Sequence, residues 1–254
     1  IAVDFSNFGN GFQVLMFAKQ TRKGRTIPIY FEILKYPIKK GSQNTFIIQA
    51  IENFKEIINL KPKLVFDRGF ACPSIIEYLL KNKHIFYIRI KKGKCVINQK
   101  TKNKFLVKNS KKNDFNILAY KNKNLRLIIS DKNKSLREPW YLITNDFQST
   151  RERIIKIYYY RFEIEEFFRD AKRLLGLEYI NFKKINSLTV VLWFTLLASW
   201  FTWNLEEKMS ELDKKAREKI REKMELSIIR YYFELLRKET ILSAEGEFMY
   251  GDCG

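Results

Sequence analysis

The chain has 254 residues, of which 46% are hydrophobic and 15% aromatic, and this content excludes a disordered chain because it can fill a sizeable core. Forty-eight lysines and arginines against 28 acids give a formal net charge of +20, which indicates a polyanionic partner such as nucleic acid. A single histidine, His84, and three scattered cysteines exclude multi-histidine metal sites and predict neither a disulfide framework nor a paired-cysteine zinc site.

The first 90 residues alternate strand-like and helical segments. The run IAVDFSNF opens the chain as a short apolar strand that we expect to end in Asp4, and two further strand-like runs, joined by the polar turn TRKGR, complete an antiparallel meander. Residues 44–60 show apolar positions at helical spacing before Pro62, which predicts a covering helix. The stretch KLVFDRGF then repeats the first pattern and places Asp67 after a strand, before the predicted helix SIIEYLLKN and strand IFYIRI. This order predicts an α/β core.

A strongly basic segment follows this core. Residues 81–137 contain 18 lysines and arginines against two acids, Asp114 and Asp131, interleaved with the short strand-like runs KCVINQ, KFLVKN, FNILAY and LRLIIS. We expect residues 91–138 to form a small basic β insertion that contacts nucleic acid. The alternative is a set of solvated edge strands in which lysine blocks strand pairing.

The last third of the chain is predicted to be mostly helical. After the strand-like run WYLITN, residues 157–176 read as one helix, because no proline or glycine interrupts them before Gly176. Residues 185–205 are uncharged and long enough to span a bilayer, but their asparagine, serine and threonine content favours a buried core helix. Residues 206–239 are charged, free of proline and helical in pattern.

The predicted helix IYYYRFEIEEFFRDAKRLLG carries an unusual row of polar side chains. At about 100° per residue, four of them fall within roughly 60° on one face: Tyr158, Arg161, Glu165 and Lys172. An apolar stripe beside this row would seat the helix on the core, so the polar row would follow the seam between core and solvent. An ordinary surface helix with mixed charges is the alternative.

Three carboxylates supply the parts of a metal site. Asp4 and Asp67 follow strand-like runs, and Glu165 lies on the later helix. Magnesium prefers hard oxygen ligands, and two such ions about 4 Å apart can activate a water or hydroxyl and stabilise the leaving oxygen of a phosphoryl displacement. Each aspartate taken singly is also typical of a strand end or a capping residue.

The spacing Tyr-x2-Arg-x3-Glu-x6-Lys resembles the YREK signature of the DDE transposases of bacterial insertion sequences. The resemblance covers nearly the whole chain, because Asp4, Asp67 in DRGF, the basic insertion and the Glu165 helix follow the order of that family. It implies an α/β fold with a ribonuclease-H-like mixed sheet flanked by helices and a basic β insertion between the second Asp and the Glu helix. The expected division is a catalytic core over 1–90 and 139–205, the insertion over 91–138, and a C-terminal helical region over 206–254.

The same resemblance implies an activity and a role for each residue. Asp4, Asp67 and Glu165 would bind two Mg²⁺ or Mn²⁺ ions and catalyse DNA strand cleavage and strand transfer, while Tyr158, Arg161 and Lys172 would contact phosphates of the transposon end. A homodimer in the DNA complex and a cytoplasmic, nucleoid-associated location without membrane contact are further expectations.

Two departures from the family pattern leave an alternative open. Phe162 stands where family members often have tryptophan, and only three residues precede Asp4, where an N-terminal DNA-binding region is usual. A catalytically silent DNA-binding remnant, or inhibitor of intact protein, is therefore the second hypothesis.

Overall fold

The computed structural model describes residues 1–208 apart from positions 10, 23, 39–40, 132–137 and 174, together with residues 215, 218 and 219. The strands within this part of the chain are β1 (Ala2–Phe8), β2 (Phe12–Gln20), β3 (Thr26–Lys35), β4 (Leu64–Phe66), β5 (Phe86–Arg89), β6 (Cys95–Asn98), β7 (Lys104–Leu106), β8 (Asp114–Ala119), β9 (Lys123–Ile129) and β10 (Tyr141–Thr144). The helices are α1 (Ser42–Ile58), α2 (Pro73–Lys81), α3 (Arg151–Tyr159), α4 (Glu163–Arg173) and α5 (Ile185–Lys208), with short 3-10 turns at Arg68–Phe70, Val107–Asn109 and Tyr160–Phe162.

The ten strands described form one mixed sheet in the order β3-β2-β1-β4-β5-β10-β9-β8-β6-β7. Strands β1, β4 and β5 run parallel at its centre, and the other pairings are antiparallel. The chain passes from β1 to its parallel neighbour β4 through β2, β3 and α1, and from β4 to its parallel neighbour β5 through α2. Parallel neighbours require such crossover connections. The predicted α/β fold with a mixed sheet flanked by helices is confirmed.

The register of β1 and β4 brings the two aspartates together. Ala2 pairs with Val65 and Val3 with Phe66, so the next step along both chains sets Asp4 beside Asp67. The expectation that β1 ends at Asp4 is wrong, because β2 continues to pair with β1 as far as Phe8. Strand β4 does stop before Asp67, as expected.

Alternating side chains divide the core into layers on the two faces of the sheet. Val3, Leu15 and Phe17 face α1 and α2, and Phe17 stacks on Phe54 of α1 with ring centroids 4.6 Å apart. Ala2, Val14 and Met16 belong to the opposite layer, where they join α4 and α5. This two-sided burial follows from the period-two alternation of strand side chains. Helices α4 and α5 therefore lie on the same face of the sheet.

The basic insertion extends the central sheet. Strand β10 pairs with β5 on one side and β9 on the other, and β8 and β6 continue outward. Val96, Ile117 and Leu127 belong to the same apolar cluster as Phe66 of β4. The four predicted strands are present, although KFLVKN is extended only over Lys104–Leu106. The domain boundaries themselves stay a prediction.

The single helix predicted over residues 157–176 is wrong, because two helices meet there at a tight turn. Helix α3 begins at Arg151, where the Thr150 hydroxyl accepts a hydrogen bond from the Arg153 N–H, and the turn Tyr160–Phe162 separates it from α4. An aromatic cluster accounts for the break: Trp140 packs on Tyr158 at 5.1 Å and on Phe162 at 5.5 Å. These contacts depend on β10, which local helix propensity does not register.

Helix α5 also differs from its prediction as a buried core helix. Leu188, Leu192 and Leu196 pack into the apolar layer, but the opposite face exposes half or more of several large side chains, among them Trp193, Phe194, Leu197, Trp200 and Phe201. Its stretch Ile185–Asn204 is long and apolar enough to cross a membrane, with 28% of its most apolar window buried, a test that core helices of soluble proteins also pass. Most of the predicted C-terminal helical region, 206–254, lies outside the described residues.

Candidate active site

Arg161 joins two of the three predicted carboxylates. Its Nη1 donates to Oδ2 of Asp4 at 2.9 Å, and its Nη2 donates to Oε1 of Glu165 at 2.5 Å. Because both oxygens bind one planar guanidinium, they lie within about 8 Å of each other. The Arg161 side chain is only 2% exposed, whereas that of Glu165 is 50% exposed. The turn between α3 and α4 thus brings Glu165 to the aspartate on β1.

Tyr158 makes the corresponding contact with the third carboxylate. Its hydroxyl donates to Oδ1 of Asp67 at 3.3 Å, and its ring is fully buried against Trp140. Tyr158 and Arg161 therefore lie beneath the surface and face the carboxylates, and do not follow an exposed seam. The structure brings Asp4, Asp67, Glu165, Tyr158 and Arg161 together.

The electrostatics of Asp4 show that the three carboxylates interact. Burial raises the pKa of the Asp4 carboxyl to about 6, and the like charges of Asp67 and Glu165 act in the same direction. Arg161 and the Phe5 N–H, which donates to Oδ1 of Asp4 at 2.8 Å, oppose this rise. A cation in contact with this group would relieve the unfavourable burial of its charge.

Lys172 lies on the wall of a cleft beside these residues. The cleft has a volume of about 350 Å³ and is lined by Asp4, Glu165 and Lys172, with Arg169, Arg173 and Glu178 at its other walls. The Lys172 ammonium lies 5.4 Å from the centre of the Phe8 ring. Burial lowers its pKa, against the opposing charge of Glu178. Of the predicted phosphate-contacting residues, Lys172 is the one that lines this cleft.

The chemical type of the three carboxylates suits a divalent ion, but their present arrangement does not yet form a set of ligands around one position. In the described part of the chain, no group of three His, Cys, Asp or Glu side chains is arranged to hold a metal ion. Asp4 and Glu165 direct oxygens at Arg161 instead. The donors are nevertheless all hard oxygens, which suit Mg²⁺ and Mn²⁺, and Asp4 and Asp67 occupy adjacent register positions.

Sequence reasoning missed two buried acids that hold α4 in place. The Glu163 carboxylate accepts three backbone N–H bonds from the turn between β2 and β3: from Thr21 at 2.9 Å, Arg22 at 3.2 Å and Gly24 at 3.0 Å. In the same turn, Nε of Arg25 donates to Asp170 at 2.5 Å. The turn TRKGR thus docks on α4 two residues from Glu165. The sequence did contain a signal for this contact, because the turn TRKGR is basic and the run FEIEEFFRD is acidic.

Asp146 is a third acid that sequence reasoning missed. It follows strand β10 and is buried, and it accepts hydrogen bonds from the Tyr87 hydroxyl at 2.6 Å, the Lys63 ammonium at 2.8 Å and the Ser149 hydroxyl at 2.7 Å. These three bonds all reach Oδ2, and Oδ1 accepts from the backbone N–H groups of Gln148 and Ser149, so both oxygens are occupied and anchor the entry to α3. Its position after a strand matches Asp67, so pattern alone does not separate this structural acid from a catalytic one.

Together the central parallel strands, their paired aspartates and the flanking helix with Glu165 define a ribonuclease-H-like α/β domain. A family model described as a transposase DDE domain matches residues 31–201, about two thirds of the chain, and the protein belongs to this family. The matched range includes Asp67 and Glu165 and begins after Asp4. No curated protein matches the sequence. Membership implies a DNA partner, an enzyme of the nuclease and transferase class, and a general dependence on divalent metal.

Proposed function

We propose that the protein cleaves DNA strands and joins them to new sites at the ends of an insertion sequence, with Asp4, Asp67 and Glu165 as its catalytic residues. The observation that carries this proposal is the convergence of the three carboxylates on Arg161 and Tyr158. Family membership supports DNA as the substrate. The YREK spacing supports a place in the YREK-signature group, and with it a homodimer in the DNA complex and a cytoplasmic, nucleoid-associated location.

Asp4, Asp67 and Glu165 would hold the divalent metal, two Mg²⁺ or Mn²⁺ ions in the full assembly. When bound, such ions polarise the phosphate and lower the pKa of an attacking water or hydroxyl. Asp67 and Asp4 supply fixed donors, because the strands that carry them are central in the sheet. Glu165 is half exposed on a helix, so its carboxylate has room to turn from Arg161 toward the aspartates, where a bound metal ion would offset the loss of its hydrogen bond to this buried guanidinium.

Tyr158 and Arg161 orient the carboxylates in this arrangement. For Tyr158, the phosphate contact that the family resemblance implies requires its hydroxyl to exchange the Asp67 carboxylate for a phosphate oxygen. Arg161 retains an Nε–H without a hydrogen-bond partner among the described residues, beside the two N–H groups that bind Asp4 and Glu165, and arginine binds phosphate well through parallel hydrogen bonds. Lys172 already lines the cleft beside Asp4 and Glu165, where its ammonium can meet a phosphate directly.

The test is metal-dependent strand cleavage of a plasmid that carries the DNA flanking the coding region. The wild-type protein should nick it in Mg²⁺ or Mn²⁺, and Asp67→Asn or Glu165→Gln should lower the rate on the order of 1000-fold while DNA binding persists. Glu166→Gln, which changes the neighbouring glutamate on α4, is the matched control and should cleave normally. Wild-type binding without cleavage in either metal would contradict the proposal and favour the DNA-binding remnant.

A further inference from the structure

A second and larger cleft adjoins the candidate active site. It has a volume of about 710 Å³, and Arg68, which directly follows Asp67, is one of its lining residues. Six of the lining side chains are basic and one is acidic: Arg68, Arg89, Lys91, Lys92, Lys94 and Lys108 against Glu138. Such a concave, single-sign surface concentrates a positive potential.

Most of this positive charge has no carboxylate partner within the described residues. Lys92 pairs with Glu138 at 2.7 Å, and the Lys94 ammonium lies 4.3 Å from the centre of the Tyr120 ring. No ion pair with a described acid involves the other four basic residues. The neighbouring sequence KNKSLR, at 132–137, contains no acid that could supply one. The cleft therefore has an excess of cations available to a ligand.

The positions of these basic residues argue against the alternative hypothesis that the lysines of the insertion only prevent an edge strand from pairing with another chain. The edge strands of the sheet are β3 and β7, and none of the six lies on either. They come from the turn after β4, the end of β5, the connection from β5 to β6, and the 3-10 turn after β7. Segments distant in sequence thus converge on one concavity, which edge protection does not require.

The cleft and the carboxylates are linked through Arg89. Its charge acts on Glu138 at the cleft and on Tyr158, whose hydroxyl binds Asp67. Strand β5, which ends at Arg89, lies directly beside β4, whose end places Asp67. A strand of DNA whose phosphate reaches Asp67 can therefore lie against Arg68 and Arg89 as well.

We propose that this cleft binds the phosphodiester backbone of the DNA strand that passes the catalytic carboxylates, through charge and without reading bases. The inference rests on the proposed function for its substrate. Arginine provides paired hydrogen bonds to phosphate and lysine provides point charges, which position a strand without carrying sequence information. The basic insertion would thus contribute to DNA binding through the residues that it supplies to this cleft.

Binding of fluorescein-labelled DNA of arbitrary sequence, as duplex and as single strand in EDTA, tests the cleft. The double variant Lys91→Gln/Lys108→Gln should weaken binding about tenfold and reduce the slope of log affinity against log salt by about 2. Lys100→Gln/Lys111→Gln removes the same charge from exposed insertion residues outside the cleft and should change affinity less than about threefold. A loss confined to the single strand assigns the cleft to an unpaired strand, and a loss on both probes assigns it to duplex.

Equal losses in the two double variants, or wild-type binding by the cleft variant, would overturn the inference, provided that thermal melts show both variants folded. Plasmid cleavage separates this outcome from a failure of the proposed function. If the wild type cleaves DNA and the cleft variant binds DNA normally, only the proposal for the cleft is contradicted. If the cleft variant loses DNA binding but the wild type does not cleave DNA with any metal ion, only the proposal for catalysis is contradicted.

Discussion

Arg161 is a buried charge whose compensation comes from Asp4 and Glu165. Removing a guanidinium from water is costly, and two charge-assisted hydrogen bonds offset that cost. Its guanidinium also lies 4.6 Å from the centre of the Phe162 ring, so aromatic packing completes its environment. Without this cation the carboxylates of Asp4, Asp67 and Glu165 would repel one another across a partly buried space.

Arg161→Met should lower the free energy of unfolding by about 3 kcal/mol, because it leaves the buried Asp4 carboxylate without its cation. Urea denaturation in EDTA measures this loss. Arg169→Met on the same helix is the matched control: its side chain is half exposed and pairs with Glu166, so a change below about 0.5 kcal/mol is expected. Equal effects of the two substitutions would show that Arg161 does not organise the site.

The raised pKa of Asp4 makes a pH-dependent contribution to stability. Since the folded-state pKa of about 6 lies above the ordinary value of 3.8, Asp4 contributes stability that is fully present below pH 3.8 and is lost as the pH rises through about 6. The difference in unfolding free energy between wild type and Asp4→Asn, measured in EDTA, should therefore fall by about 2 kcal/mol from pH 4 to pH 7. A difference that stays constant over this range would contradict the burial of Asp4.

The turn between β2 and β3 and the helix α4 act as one structural unit. Three backbone N–H groups of the turn converge on the Glu163 carboxylate, and Arg25 binds Asp170 one to two helical turns later. This docking fixes the start of α4 and hence the position from which Glu165 projects. A β hairpin therefore supports the helix that carries Glu165, although it adds no carboxylate to the candidate site.

Glu163→Ala should destabilise the protein by about 2 kcal/mol, because it removes the acceptor of three N–H groups. Hydrogen exchange should report faster exchange at Gly24 while the amides of α1 keep their protection. Glu166→Ala, which removes a more exposed neighbouring acid, should leave Gly24 protected. Unchanged protection of Gly24 in Glu163→Ala would show that the turn does not depend on this carboxylate.

Local patterns predicted the elements better than their junctions. The strands, α1 and α2 follow from apolar periodicity and turn residues, and the position of Asp67 after β4 follows with them, whereas the mixed sheet was expected from the family resemblance. The break at Tyr160–Phe162 did not, because it depends on Trp140, which lies outside the helix and directly precedes β10. The burial of Arg161 could not be predicted from the sequence either. A helical wheel gives the direction in which a side chain leaves its helix, but it does not show that Asp4 on β1 lies there to accept a hydrogen bond.

At the scale of the whole molecule, one sheet supports the paired aspartates and the turns and connections that line the basic cleft. Its central parallel strands hold Asp4 and Asp67, and the antiparallel extension beyond β5 contributes cations of the cleft. Helix α4 adds Glu165 from one face. This continuity fixes the distance between the carboxylates and the cleft, because the turns and connections that line the cleft begin or end on strands of the sheet that holds the aspartates. Part of the formal charge of +20 is thus concentrated in the basic cleft beside the carboxylates.

The central claim is that Asp4, Asp67 and Glu165 form one metal site, and iron-directed backbone cleavage tests it without knowledge of the DNA sequence. Fe²⁺ replaces Mg²⁺ or Mn²⁺ at oxygen sites, and ascorbate with peroxide then generates radicals that cut the nearby polypeptide. We expect cuts close to residues 4, 67 and 165, suppressed by excess Mg²⁺ and absent in folded Asp67→Asn. Cuts elsewhere in the chain, or cuts at these residues that persist in Asp67→Asn, would contradict the shared site.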